Sequence, residues 1–382
     1  MITVSDKLRQ VEEYYFSKKL KEVSALKANG KPIINLGIGS PDLPPSPLVI
    51  ESLLEAVNHN DAHQYQSYIG LQNLREALAN FYQRHFNVTL NPENQVLPLM
   101  GSKEGIMHIS MAFLNKGDAV LIPNPGYPTY ESVTKLVEAK PIHYNLLETN
   151  GWFPDLDALE QQDLSKVKIM WVNYPNMPTG QQATEAQLKQ LVGFALRHQI
   201  LVVNDNPYSF ILNDNKQSIF SVKGSESCCL ELNSMSKTFN ISGWRIGFVL
   251  GNEHLLKAVL QVKSNMDSGM FYGIQKGAVT ALRMSTDWLD SLNEAYRVRR
   301  ELVWEIADKL HCTYEKNTSG LFVWGKLPKG KMSKEFSDDL LYSKHIFIVP
   351  GTVFGSNGEG YVRFSLCVKE NDLESVLLRL KK

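Results

Sequence analysis

Residues 200–208 read ILVVNDNPY. Four apolar residues run without a polar break, and a cluster of turn formers ends the run. A continuous apolar stretch this short, bounded by turn residues, reads as a strand buried on both faces. The pattern recurs along the chain in DAVLIP (118–123), VKIMWV (167–172), CCLELNS (228–234) and WRIGFVLG (244–251). Between these runs lie helical patterns such as EAQLKQLVGFALRHQ at 185–199. Short buried strands alternating with helices predict an α/β fold, a mostly parallel, doubly wound sheet with helices on both faces. In such sheets ligands sit beyond the carboxyl ends of the strands. Asp205, at the end of the quoted run, is therefore placed where chemistry is expected.

The last third differs. A long amphipathic helix over roughly 288–310 leads into strand-like GLFVWGKL (320–327), IFIVPG (346–351) and GYVRFSL (360–366). This predicts a smaller α+β domain, with the N-terminal helix packed on it because a short helix needs a partner. At 382 residues the chain exceeds one core of ordinary size. The expected division is a large domain over 46–285 and a small domain from 1–45 and 286–382.

Composition removes several function classes. Forty basic residues balance forty acidic ones, so no basic excess points to nucleic acid or an anionic membrane. No apolar run approaches a membrane span. The N-terminus MITVSDKLRQVEEYYFSKKL mixes charges and is not read as a secretory signal. Four cysteines do not make a disulfide framework, and the adjacent Cys228 and Cys229 suit a buried strand. A reducing cytoplasm is expected. GLFVWGKL approaches a phosphate-loop pattern, but Leu327 replaces the required hydroxyl and the middle is bulky and apolar, so it reads as a strand. His59 and His63 have helical ligand spacing, but HNDAH looks like a turn, and no metal site is expected.

Four segments carry chemistry. In SMSKTFNISGWRIG (234–247) a lysine, Lys237, follows a strand and two serines, and Arg245 comes eight residues later. Lysine amines form Schiff bases with carbonyls, and arginine forks suit phosphate. Asp205 could pair with a protonated ring nitrogen or merely cap a turn. In MGSKEGIMHISMAFL (100–114), Gly101 and Ser102 open a helical pattern whose free amides suit phosphate, or make a simple cap. In GYVRFSL, alternation puts Tyr361, Arg363 and Ser365 on one face. An arginine inside a strand needs an anion; a substrate carboxylate or a structural salt bridge would serve.

Taken together, in this order, these segments resemble the fold-type I pyridoxal-phosphate aminotransferases of class I/II. The resemblance runs from IINLGIGSPDLPPS (33–46) to GYVRFSL. INLGIGSPD and the tail PGTVFGSNGEGYVRFS are most similar to the branch with diaminopimelate, alanine and some aspartate aminotransferases. What the resemblance implies is an enzyme that moves an amino group from an L-amino acid to a 2-oxo acid by a ping-pong cycle on pyridoxal 5′-phosphate. A carbon–sulfur β-lyase using the same cofactor is the alternative. A binding protein that kept the fold is disfavoured, because it would not need Lys237.

Carried over by motif, Lys237 would form the Schiff base and shuttle the proton at Cα. Asp205 would keep the pyridine nitrogen protonated, and Tyr208 would donate to the phenolate oxygen. Gly101, Ser102, Lys103, Ser234, Ser236 and Arg245 would line the phosphate site, and Tyr127 would stack on the ring. Arg363 would clamp the α-carboxylate, with Gly39 beside it. Tyr65, five residues before Gly70, would reach the phosphate of the neighbouring subunit, implying a homodimer with shared sites. Tyr15, Ile38 and Tyr272 are further pocket candidates. KSNMDSGMFYGIQ (263–275), where dicarboxylate-specific relatives carry an extra arginine, has none.

One departure stands out. Where the family has Asn-Pro-Thr-Gly, this chain has Met177 before Pro178, within NYPNMPTG (173–180). A thioether cannot donate a hydrogen bond. Losing a donor to the phenolate should raise the Schiff-base pKa by roughly one to two units unless a water, Asn173 or Asn176 substitutes.

Overall fold

Twelve strands stand among the described residues, which are 2–13 and 15–381 of the computed structural model. They are β1 (Ile34–Asn35), β2 (Val96–Leu99), β3 (Ala119–Asn124), β4 (Lys140–Asn145), β5 (Val167–Val172) and β6 (Leu201–Asp205), then β7 (Cys229–Ser234), β8 (Gly247–Leu250), β9 (Phe322–Lys326), β10 (Ile346–Phe347), β11 (Val349–Pro350) and β12 (Tyr361–Ser365).

Seven of them form one sheet in the order β2-β8-β7-β6-β5-β3-β4. Every neighbour pair is parallel except those of β8, which runs against β2 and β7. The apolar runs divide their side chains between two cores. In β5, Ile169 and Trp171 enter one core and Met170 and Val172 the other. Burial on both faces is what lets a strand stay apolar throughout. At about 1.5–3 kcal/mol for each large side chain removed from water, these positions supply much of the sheet's stability.

Three predicted strands are cut differently. WRIGFVLG becomes a strand only from Gly247, because Trp244 closes a 3-10 turn and Arg245 sits at φ 58°. That left-handed backbone ends an extended chain. IFIVPG splits in two: β10 pairs in parallel with β1, and β11 pairs with β12. In CCLELNS the strand starts at Cys229, and Cys228 precedes it.

The second layer is an antiparallel sheet, β11-β12-β9, with the long helix spanning Thr286–Lys309. The Tyr15–Ala28 helix joins this layer, with Lys19 paired to Asp338 at 3.0 Å. Arg299, 1% exposed, pairs with Asp42 at 2.6 Å and Glu370 at 2.7 Å. It pins LGIGSPD against the last helix, and a guanidinium buried that deeply is tolerable only with such partners. Among the described residues no helix is long and apolar enough to cross a membrane.

Candidate active site

The carboxyl ends of β5, β6 and β7 open onto one cavity of about 370 Å³, lined by Asn173, Asp205 and Ser234 among others. Each strand is fixed by its apolar run, so the polar residue following it is delivered to the same edge of the sheet.

Asp205 closes β6 and is 5% exposed. Tyr130 donates to its Oδ2 at 2.8 Å, while Oδ1 meets no hydrogen-bond donor among the described residues. Burial pushes this carboxyl up to about 7, opposed by the Tyr130 hydrogen bond. Lys237 faces the same cavity, and its Nζ donates to the Gly39 carbonyl at 2.5 Å. Burial lowers its ammonium below the ordinary lysine value, and the Arg363 and Arg245 guanidiniums act the same way. A Cβ on Gly39 would lie 2.2 Å from the Phe322 ring, so any larger residue there would force that ring to move. Tyr208 also lines the cavity, and burial pushes its hydroxyl upward.

A cradle of donors forms at one end. Gly101 precedes the Ser102–Phe113 helix at φ 93°. A Cβ on Gly101 would lie 2.3 Å from Arg245 Nη2, and one on Gly247 would lie 2.5 Å from the Ser102 amide. Both glycines let the helix N-terminus and the Arg245 fork come together. Ser234 Oγ donates to Ser236 Oγ at 2.9 Å beside them. Amides of a helix start, hydroxyls and a guanidinium converge here, a donor set that could take up a dianion.

Arg363 is 4% exposed and sits among three aromatic rings, with centroids 3.9 Å (Phe322), 4.7 Å (Phe354) and 5.5 Å (Phe16) from its guanidinium carbon. Its Nη2 donates to the Gly37 carbonyl at 2.8 Å. Its Nη1 lies 3.3 Å from the Met177 sulfur, which acts as a weak acceptor. Met177 is thus a wall of the cavity beside the arginine. Asn173 is committed to the backbone: its Oδ1 accepts from the Met177 amide at 2.7 Å, and its Nδ2 donates to the Asp205 carbonyl. Asn176 does not line the cavity; its Oδ1 accepts from Thr179 Oγ1 at 2.8 Å.

The cavity therefore gathers Lys237, Asp205, Tyr208, Ser102, Lys103, Tyr127, Asn173, Ser234, Ser236, Arg245, Ile38, Gly39 and Arg363, with Gly101 against Arg245. Tyr65 is 91% exposed and lies away from it. Tyr15 and Tyr272 do not line it either. Phe16 and Leu20 do, because positions four apart share a helix face and Tyr15 turns off it. Tyr272 instead stacks on His59 at 5.8 Å. Tyr130, Phe322 and Phe354 also line the cavity, outside the motifs. Tyr130 follows Tyr127 by three residues at a helix start, a spacing that could have found it; nothing local marks the two phenylalanines.

A family model described as "Aminotransferase class I and II" matches residues 31–380. The LL-diaminopimelate aminotransferase of Nitratidesulfovibrio vulgaris is 37% identical, with 99% of this chain and 98% of that protein covered. The LL-diaminopimelate aminotransferase of Oleidesulfovibrio alaskensis is 38% identical over the same shares. Among solved structures, substrate-bound BacF from Bacillus subtilis superposes with a TM-score of 0.96 at 35% identity, covering 100% of this chain and 98% of that one.

Proposed function

Since the chain belongs to the class I and II aminotransferases, we propose that its cavity holds pyridoxal 5′-phosphate and that Lys237 and Asp205 are its working groups. The protein moves an amino group from an L-amino acid to a 2-oxo acid. The bound cofactor supplies a carbonyl for the amino group and an electron sink for the charge that develops at Cα.

The residues divide the work. Arg245, the Ser102 amide, Gly101, Ser234 and Ser236 hold the phosphate, with Lys103 at the rim. Asp205 Oδ1 keeps the proton on the ring nitrogen. Tyr208 would donate to the ring oxygen, and Tyr127 would pack on the ring. Lys237, partly stripped of water and readily neutral, takes the Cα proton and returns it one position away. Arg363 binds the α-carboxylate in a fork, so the Cα–H bond is presented to the lysine in a fixed orientation. The observation that carries this reading is Asp205: a buried carboxyl at the cavity with one oxygen fixed by Tyr130 and the other left without a hydrogen-bond partner among the described residues.

Tyr65, exposed on this chain, reaches the phosphate of a second copy, so the working form is a homodimer in the cytoplasm. The layers around the cavity form a large domain over 46–285 and a small one from 1–45 and 286–382. Light scattering at micromolar concentration is expected to give twice the chain mass. A monomer with full activity would remove Tyr65 from the site.

Adding single L-amino acids to the holoprotein without an acceptor tests the reaction. The visible cofactor band should convert stably to the amine form, and LL-diaminopimelate, named for the relatives above, is the first donor to try. Return of the band with release of ammonia and pyruvate would mean β-elimination instead.

Met177 gives a second expectation. Met177→Asn should lower the pH midpoint of the visible band by about one to two units, because a donor is restored near the ring oxygen. An unchanged midpoint would mean that Tyr208 or another donor already saturates that oxygen.

A further inference from the structure

The register of β9 and β12 makes a continuous face that runs from the arginine to the protein surface. Ser365 lies opposite Phe322, Arg363 opposite Trp324, and Tyr361 opposite Lys326. Residues two apart on a strand share a face, so all six project together. At the inner end Phe322 packs under Gly39, and Ser365 Oγ donates to the Ile38 carbonyl at 2.6 Å. In the middle Trp324 stacks on Tyr361 at 5.1 Å with 5° between the rings. At the outer end Glu148 takes both members of the last pair: Lys326 Nζ lies 2.6 Å and Tyr361 Oη 2.9 Å from its Oε2.

Glu148 belongs to the other layer. It follows β4, the edge strand of the seven-stranded sheet, and precedes Trp152. Trp152 stands edge-on to Tyr361 at 5.4 Å and to Trp324 at 6.4 Å. It sits at φ 57°, a conformation costly for a bulky residue and kept only where the surroundings enforce it. Its carbonyl accepts from Tyr174 Oη at 2.8 Å, and the Tyr174 amide donates to Asn204 of β6 at 3.1 Å. The segment is therefore anchored to the sheet that carries Asp205.

We propose that Glu148 is a positioning residue for the substrate carboxylate: by holding Tyr361 it fixes strand β12, and with it the Arg363 guanidinium two residues on. This rests on Arg363 being the carboxylate clamp. Lys326 and Glu148 are about half exposed, and such a pair adds little to folding stability. Its effect belongs to binding, and it falls on both half-reactions because donor and acceptor present a carboxylate to the same arginine.

The test uses holoprotein carrying Glu148→Ala, Tyr361→Phe, Glu148→Gln or Arg363→Ala. It compares the fastest L-amino acid donor with the primary amine of the same side chain lacking the carboxylate. Glu148→Ala and Tyr361→Phe are expected to raise the half-saturating amino acid concentration about 3- to 10-fold, with the limiting rate within about twofold. Glu148→Gln, which keeps an acceptor for Tyr361, should recover most of the loss. The amine should be indifferent to all of these. If Arg363→Ala leaves the amino acid unaffected, the clamp reading itself fails. If Arg363→Ala weakens the amino acid and Glu148→Ala does not, the positioning role is wrong. Equal weakening of amine and amino acid by Glu148→Ala would mean general loosening and would also overturn it.

Discussion

Lys237→Ala is expected to lower kcat/KM by at least about 10⁴-fold, the upper end of what one positioned proton-transfer group contributes. On the proposed function the loss is that large because a single amine would serve two purposes, covalent attachment and proton transfer at Cα. The fold should survive. Among the described residues the side chain makes one hydrogen bond, to the Gly39 carbonyl, and its burial disfavours the charged form. The measurement is a single-turnover conversion of bound cofactor by the donor, alongside a thermal scan. Intact folding and cofactor binding with a lost half-reaction is the expected pair of results. A variant that keeps more than about a tenth of wild-type kcat/KM would show that another base moves the proton.

Asp205→Asn should cost about 10³-fold in kcat/KM, in the range seen when one charge-stabilising group is removed from a dry site. The amide has the same shape but cannot hold a proton on a ring nitrogen by charge. The same variant has a second readout, in the cofactor-free protein. In the folded chain the carboxyl is raised from 3.8 to about 7. Between those values the folded state keeps a proton that the unfolded state has lost. Stability attributable to Asp205 is therefore present below about pH 4 and lost as the pH climbs to about 7, by an amount of order 4 kcal/mol. Buried Glu231 is shifted in the same direction, so the comparison is wild type against Asp205→Asn, where its contribution cancels. The variant should show the flatter fall in unfolding temperature over that window. Bound cofactor should flatten the wild-type curve too, because a cation beside Oδ1 restores the ordinary preference for the carboxylate. Parallel curves for wild type and variant would mean that Asp205 is already ionised in the empty site.

Much of this was legible in the chain. VKIMWV and CCLELNS announce buried strands because an unbroken apolar run with turn residues at its end has few other uses. Asp205, Lys237 and Arg245 were legible for a related reason. Each stands at a fixed short distance from such a strand end, so the sheet itself carries it to the site. Helix rotation is not written locally. Tyr15 and Phe16 are adjacent aromatics, and only the phase of the helix against the second layer decides that Phe16 enters the cavity. WRIGFVLG looked like a strand throughout, but the left-handed Arg245 bends its start toward the Ser102–Phe113 helix.

By itself the sequence determined the strands, their buried character and the polar groups at their ends, because those features depend on residues close along the chain. Only the tertiary structure decided which distant side chains meet. Met177 touches Arg363 across 186 positions, and Glu148 reaches Tyr361 across 213. Those meetings follow from sheet order, from the β9–β12 register and from how two layers sit against each other. A one-residue change of register would turn Arg363 to the other face of its strand, and no pattern within GYVRFSL records the partner strand that prevents it.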